Sequence, residues 1–167
     1  MPVTAYIGLG SNQADPPRQL DAAVAALASL PGTTVTQVSP RYVTAPFGPV
    51  PQPDFLNAVA EIRTTLDADA LLTALHAIEA AQGRVRAVRW GPRTLDLDLL
   101  VYGDERVDTP RLVVPHPGIV QRNFVLYPLR DIAPLLEIPG VGRVSELAAQ
   151  VSGEGIRRHG DQETSSR

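Results

Sequence analysis

Residues 84–102 read RVRAVRWGPRTLDLDLLVY, and the rest of the chain is interpreted outward from them. The first half holds Arg84, Arg86, Arg89 and Arg93 and no acid. The second half, Thr94 to Val101, alternates until its end, with Leu95, Leu97 and Leu99 against Asp96 and Asp98. Residues two apart on a strand share a face. Both carboxylates should therefore point one way while the leucines enter a core. Paired carboxylates beside clustered guanidinium groups suit a polyphosphate and its divalent metal. The acids hold the cation, and the arginines take phosphate oxygens in bidentate fashion.

The 167 residues fit one domain with a core of its own. A hydrophobic share of 44% and a charged share of 20% are those of an ordinary globular chain. A net charge of −3 argues against a general nucleic-acid binder, which carries a broad basic surface. All 15 basic residues are arginine, which excludes lysine Schiff-base chemistry and a P-loop lysine. With no cysteine, disulfides, thiolate metal sites and cysteine nucleophiles are excluded. No signal peptide or membrane-spanning run is read, so a cytoplasmic protein without a membrane partner is expected.

Val3 to Leu9 reads as a strand entering a turn at Gly10-Ser11-Asn12. Its G-x-G lacks the third glycine of a dinucleotide fingerprint. Pro16 to Leu30 is a helix capped by Asp15, and Pro31-Gly32 ends it. Thr33 to Val43 reads as a second strand. Residues 44–54, TAPFGPVPQPD, carry four prolines and a glycine and form a loop in which Phe47 is a candidate binding wall. Phe55 to Thr65 is a third strand. Its Asn57 is an amide among apolar neighbours, able to offer a donor and an acceptor to a flat heterocycle, or simply a satisfied strand asparagine.

Asp67 to Gln82 is a second helix stopped by Gly83, with His76 and Glu79 read as a surface pair at i, i+3. Arg84 to Pro92 reads as a mobile loop with Trp90 at its tip, a side chain that either simply packs or covers a bound ring. Two prolines bracket His116, which beside Arg111 and Arg122 becomes a phosphate ligand or proton carrier. Arg122 to Ile132 is a short helix whose Phe124 is core or the second face of an aromatic clamp with Phe55. Val144 to Val151 is a last helix. The expected organisation is one domain over 1–151 and a frayed tail over 152–167.

Four stretches together resemble the 6-hydroxymethyl-7,8-dihydropterin pyrophosphokinase family: GLGSN at 8–12, TAPFGP…QPDFLNAV at 44–59, GRVR…RWGPRTLDLDLL at 83–100, and RLVVPHP…RNFVLYPL at 111–129. The third is highly specific, and the others follow in the family's order and spacing. The resemblance implies a single α+β ferredoxin-like domain, with helices packed on an antiparallel sheet. It implies transfer of pyrophosphate from ATP to the pterin hydroxymethyl group, releasing AMP, within folate biosynthesis.

By position, Asp96 and Asp98 correspond to ligands of two magnesium ions. Arg84 and Arg93 join them as catalytic candidates. Glu79, Arg84, Arg86, Arg89, Trp90, Arg93, Leu99, Arg111, His116 and Arg122 correspond to nucleotide contacts. Thr44, Phe47, Gly48, Phe55, Asn57, Trp90, Asp96 and Phe124 correspond to the pterin pocket. The segment between Gly83 and Arg89 is one residue shorter than in the best-known bacterial member. Phe55 stands in place of a tyrosine, and His76 and Val113 in place of polar residues near the nucleotide. ATP and a small-molecule pterin are the implied partners, with no nucleic acid, and a monomer is expected. Two other readings stay open on the residues: a two-metal nucleotidyltransferase and a non-catalytic nucleotide-binding domain of similar fold.

Overall fold

The structure, a computed structural model, describes residues 2–46, 51–83 and 94–159. In chain order the elements are β1 (Val3–Ser11), α1 (Pro16–Ala28), β2 (Thr33–Val38), β3 (Tyr42–Thr44), β4 (Phe55–Thr64), α2 (Ala68–Ala81) and β5 (Asp96–Tyr102). There follow β6 (Val107–Asp108), β7 (Val113–Val114), a 3₁₀ turn (Ile119–Gln121), α3 (Asn123–Ile132), β8 (Glu137–Ile138), β9 (Gly142–Arg143), α4 (Val144–Gln150) and β10 (Ile156–Arg158). The main sheet runs β10-β3-β4-β1-β5, with β2 also on β4, and every neighbouring pair is antiparallel. This is the α+β, ferredoxin-like arrangement expected from the sequence.

Strand alternation sends side chains to two cores. Ala5, Ile7 and Leu9 of β1 and Leu97 and Leu99 of β5 join Leu20 and Leu27 of α1 and Leu71 and Leu75 of α2. On the other face Tyr6, Val59 and Leu100 pack under Val125, Leu126 and Leu129 of α3 and Val144 of α4. Each fully buried Leu or Ile contributes roughly 1.5–3 kcal/mol relative to exposure, so both faces of the sheet are firmly anchored. The β1–β5 register shifts once: Tyr6 lies opposite Val101 and Ile7 opposite Leu99, leaving Leu100 as an extra residue. Leu100 and Val101 therefore both face the α3 core, whereas Tyr102 returns to the α1/α2 core.

Several boundaries differ from the sequence reading for identifiable reasons. β1 continues through Gly10 and Ser11, because those residues pair with Asn57 and Leu56 of β4 instead of turning. The strand expected over 33–43 breaks at Ser39-Pro40, since proline cannot donate to the ladder, and becomes β2 and β3. Asp15 has φ 64° and makes no side-chain cap. Asp67 does cap α2, its carboxylate accepting from the Ala70 N–H at 2.7 Å. The frayed tail does not hold over its first part: Ile156, Arg157 and Arg158 pair with Thr44, Val43 and Tyr42 of β3.

Candidate active site

Helix α3 covers only part of its side of the sheet. Beyond Tyr6, β1 offers Gly8 and Gly10 on that face, and these lie opposite Val59 and Asn57 of β4 and Asp98 and Asp96 of β5. Two glycines in alternation remove the side chains that would otherwise fill the space, and the face opens into a cavity of about 160 Å³. Its walls are Thr44 and Ala45 at the end of β3, Phe55 and Asn57 on β4, and Phe124 and Val125 at the start of α3. Phe55 and Phe124 both line it.

Asn57 is 6% exposed, and its side-chain oxygen is buried with no hydrogen-bond partner among the described residues. That oxygen sits over Gly10, 3.4 Å from where a Cβ would be. A Cβ at position 10 would thus meet that oxygen in van der Waals contact, and a side chain longer than alanine would reach into the space beside it.

Asp96 and Asp98 both point to this cavity from the same side of β5, half-buried, as the alternation required. They also line a second cleft of about 410 Å³, between β5, α2 and the 111–122 segment. The two spaces share Asp96, Asp98 and Arg122. The cleft is further lined by His76, Leu99, Arg111, Val113 and His116, so its polar groups are predominantly cationic or imidazole.

Arg122 is placed by three neighbours. NH1 lies 3.8 Å from Asp98 Oδ2, the guanidinium stacks 5.5 Å from the Phe124 ring centroid, and Gly118 leaves it room, since a Cβ there would come within 3.0 Å of Nε. His116 hangs from β5 through its N–H to the Leu100 carbonyl at 2.9 Å. Its Nδ1 accepts from the Gly118 N–H at 3.1 Å, which puts the ring proton on Nε2. Burial, and then the Arg122 charge, lower its pKa to about 4 against an opposing pull from Asp96, so the ring is neutral at pH 7. Arg111 is tied to α2: Nε lies 2.6 Å from Asp69 Oδ1 and NH2 donates to the Thr73 hydroxyl.

Glu79 is not half of a surface pair with His76. It is 2% exposed, and its carboxylate accepts from the Leu97 N–H at 2.7 Å, between the two aspartates in sequence. Sequence reasoning missed two further residues. Gln52 lines the first cavity and accepts from Nδ2 of Asn12 at 2.7 Å, and Asn12, 2% exposed, also donates to the Pro53 carbonyl at 3.0 Å. The signal was the Gly10-Ser11-Asn12 string, read as a turn although it ends a strand and its Asn12 holds the loop before β4. Of the expected site residues, Phe47, Gly48, Arg84, Arg86, Arg89, Trp90 and Arg93 lie outside the described residues.

The donor set fits a hard divalent cation. Among the described residues no three His, Asp or Glu side chains gather as a closed metal cage. Two carboxylates on one strand, open toward a cleft that also holds Arg111 and Arg122, instead suit magnesium, which keeps several ligand positions for water and substrate phosphates.

The family model described as 7,8-dihydro-6-hydroxymethylpterin-pyrophosphokinase matches residues 6–134. A 2-amino-4-hydroxy-6-hydroxymethyldihydropteridine pyrophosphokinase of Pseudomonas aeruginosa is 52% identical over 153 residues, covering 92% of this chain and 94% of the relative. The protein of that name from Haemophilus influenzae is 47% identical over 148 residues, covering 89% and 92%. The one from Bacillus subtilis is 44% identical over 153 residues, covering 92% and 88%. Among solved structures, wild-type Plasmodium falciparum HPPK-DHPS with pterin and p-hydroxybenzoate superposes with a TM-score of 0.73 at 14% identity, over 95% of this chain and 46% of that one. This chain thus spans just under half of that structure's length, and the likeness at that identity speaks for the fold.

Proposed function

The chain belongs to the 7,8-dihydro-6-hydroxymethylpterin-pyrophosphokinase family, and from that premise we propose how its residues divide the work. The reaction moves the terminal pyrophosphoryl unit of ATP to the hydroxymethyl group of 6-hydroxymethyl-7,8-dihydropterin, giving the pterin diphosphate and AMP in folate biosynthesis. The substrate oxygen bonds to the β-phosphorus, the bond from that phosphorus to the α,β-bridging oxygen breaks, and the hydroxyl proton is lost.

The observation that carries the residue assignment is the pair of adjoining spaces that share Asp96, Asp98 and Arg122. Phosphoryl transfer between two bound molecules needs such a junction, because positioning and charge stabilisation supply most of the catalysis. We assign the first cavity to the pterin. Phe55 and Phe124 offer ring faces, Asn57 an amide edge and Thr44 a hydroxyl, and we assign Phe47 and Gly48 to the same substrate.

The second cleft takes ATP, with Leu99 beneath the nucleoside and Arg111, His116 and Arg122 on the phosphates. Arg111 is held by Asp69 and Thr73 through Nε and NH2, and NH1 is offered to the phosphates. His116, whose Nε2 carries the ring proton, donates from it to a phosphate oxygen. Arg84, Arg86, Arg89 and Arg93 bring further charge to the triphosphate, and Trp90 covers the bound ring. Glu79 acts through β5, holding Leu97, and is a positioning residue. Asp96 and Asp98 would hold two magnesium ions. When bound there, divalent cations neutralise phosphate charge and polarise the reacting oxygens. A monomer in the cytoplasm, where ATP is abundant, completes the proposal. Among the described residues no helix is long and apolar enough to cross a membrane.

The test is to incubate the protein with ATP, Mg²⁺ and the reduced hydroxymethylpterin. Pterin-dependent AMP is the expected product. Release of free pyrophosphate instead would point to nucleotidyl transfer, and heat of ATP binding without turnover would point to a sensing domain.

A further inference from the structure

Residues 152–158 touch both walls of the first cavity from outside, and we propose that this segment is a strap that sets the distance between those walls and thereby pterin affinity. The inference rests on assigning that cavity to the pterin. One wall is the end of β3, with Thr44 and Ala45; the other is the start of α3, with Phe124 and Val125 beside Arg122. Between Arg122 and Phe124 stands Asn123. Its side-chain amide donates to the Ser152 carbonyl at 2.8 Å and the Glu154 carbonyl at 3.2 Å. The very next residue reaches the opposite wall: the Ala45 N–H donates to the Gly155 carbonyl at 3.0 Å.

From there β10 runs along β3, pairing Ile156 with Thr44 and Arg158 with Tyr42. The far end is pinned to the same two elements. Arg158 lies 3.4 Å from Asp131 of α3, and the Tyr42 hydroxyl of β3 also donates to Asp131. The crossing turns at Gly155, whose φ of +76° favours glycine. Without the strap β3 would be a three-residue edge strand whose ladder, among the described residues, pairs with β4 alone. The family model stops at residue 134, so the strap lies outside the matched span.

Two full-length variants test this. Asn123→Asp keeps the side-chain shape but removes the amide donor and sets a carboxylate against two carbonyls. Gly155→Val strains the turn. Amide hydrogen exchange over 42–46 and 122–127 is measured beside KM for the pterin and for ATP. The expected result is faster exchange at both walls and a pterin KM raised roughly three- to tenfold, the range of one to two lost hydrogen bonds. The ATP KM should stay within about twofold. Unchanged exchange over 42–46 in Asn123→Asp, or equal rises in both KM values, would overturn the strap. Should Gly155→Val fail to fold, Asn123→Asp decides alone. A wild-type protein without pterin-dependent AMP overturns the pterin assignment instead, and the exchange comparison still decides whether the strap holds the walls.

Discussion

Replacing Glu79 with alanine separates the positioning role from direct nucleotide contact. The carboxylate is 2% exposed and accepts from the Leu97 N–H at 2.7 Å. A hydrogen bond to a charged acceptor contributes about 1.5–3 kcal/mol, and its loss also leaves the Leu97 N–H buried without that acceptor. At about 2–4 °C per kcal/mol for a chain of this size, the unfolding midpoint should fall by roughly 3–12 °C. The kinetic effect should reach further than the contact. Asp96 and Asp98 flank Leu97, and a displacement of about 1 Å in reacting groups costs on the order of a hundredfold in rate. We expect kcat to fall about ten- to a hundredfold with the ATP KM within about twofold. Glu79→Gln, which keeps an acceptor oxygen, should recover most of both losses. Calorimetry and steady-state AMP formation measure the two quantities. An unchanged midpoint with a raised ATP KM would refute the argument and make Glu79 a nucleotide contact.

Other outcomes follow from single contacts. Asp96→Asn and Asp98→Asn should each lower turnover by about 10²–10³ or more while the unfolding midpoint is preserved; near-normal AMP formation in either would remove that acid from the metal site. Asn57→Leu deletes a buried oxygen that has no partner among the described residues, a group whose desolvation costs about 1–3 kcal/mol, so the midpoint should rise by a few degrees while pterin binding collapses. A fall in the midpoint would show that the oxygen is satisfied in solution. His116 has a folded pKa of about 4 against the ordinary 6.5, so the unfolded chain takes up its proton first as pH drops. Its contribution is complete above pH 6.5 and lost as pH falls toward 4. Urea midpoints at pH 7 and 4.5 should therefore diverge more in the wild type than in His116→Asn, and parallel shifts would refute the assignment.

The parts of the site legible in the sequence were those written as strand alternation. Leu95, Leu97 and Leu99 against Asp96 and Asp98 state which side faces water and which faces the core, and a period of two suffices to place the carboxylates together. Phe55 and Asn57 were legible for the same reason. Contacts made by backbone groups far along the chain were not. Nothing near Glu79 announces that its partner is the N–H of Leu97, and nothing in Ile156-Arg157-Arg158, after a run of glycine, serine and glutamate, announces a strand whose ladder partner is Tyr42-Val43-Thr44. Gly10-Ser11 reads as a turn by local propensity, but pairing on both sides, to β4 and through Gly10 to β5, keeps it extended. Tertiary pairing overrides local preference most easily in glycine-rich ends like this one.

The extra residue at Leu100 has its own consequence. With strict alternation Tyr102 would emerge on the same side as the two aspartates, and its hydroxyl could not reach the Leu66 carbonyl that it meets at 2.6 Å behind the sheet. By slipping the phase once, the bulge lets the strand's two ends be tuned separately: one is anchored behind, the other presents acids in front. Trimming a single residue from Leu99-Leu100-Val101 should therefore invert one end of β5 relative to the other. The loss to the enzyme would be far greater than the removal of one buried leucine side chain suggests.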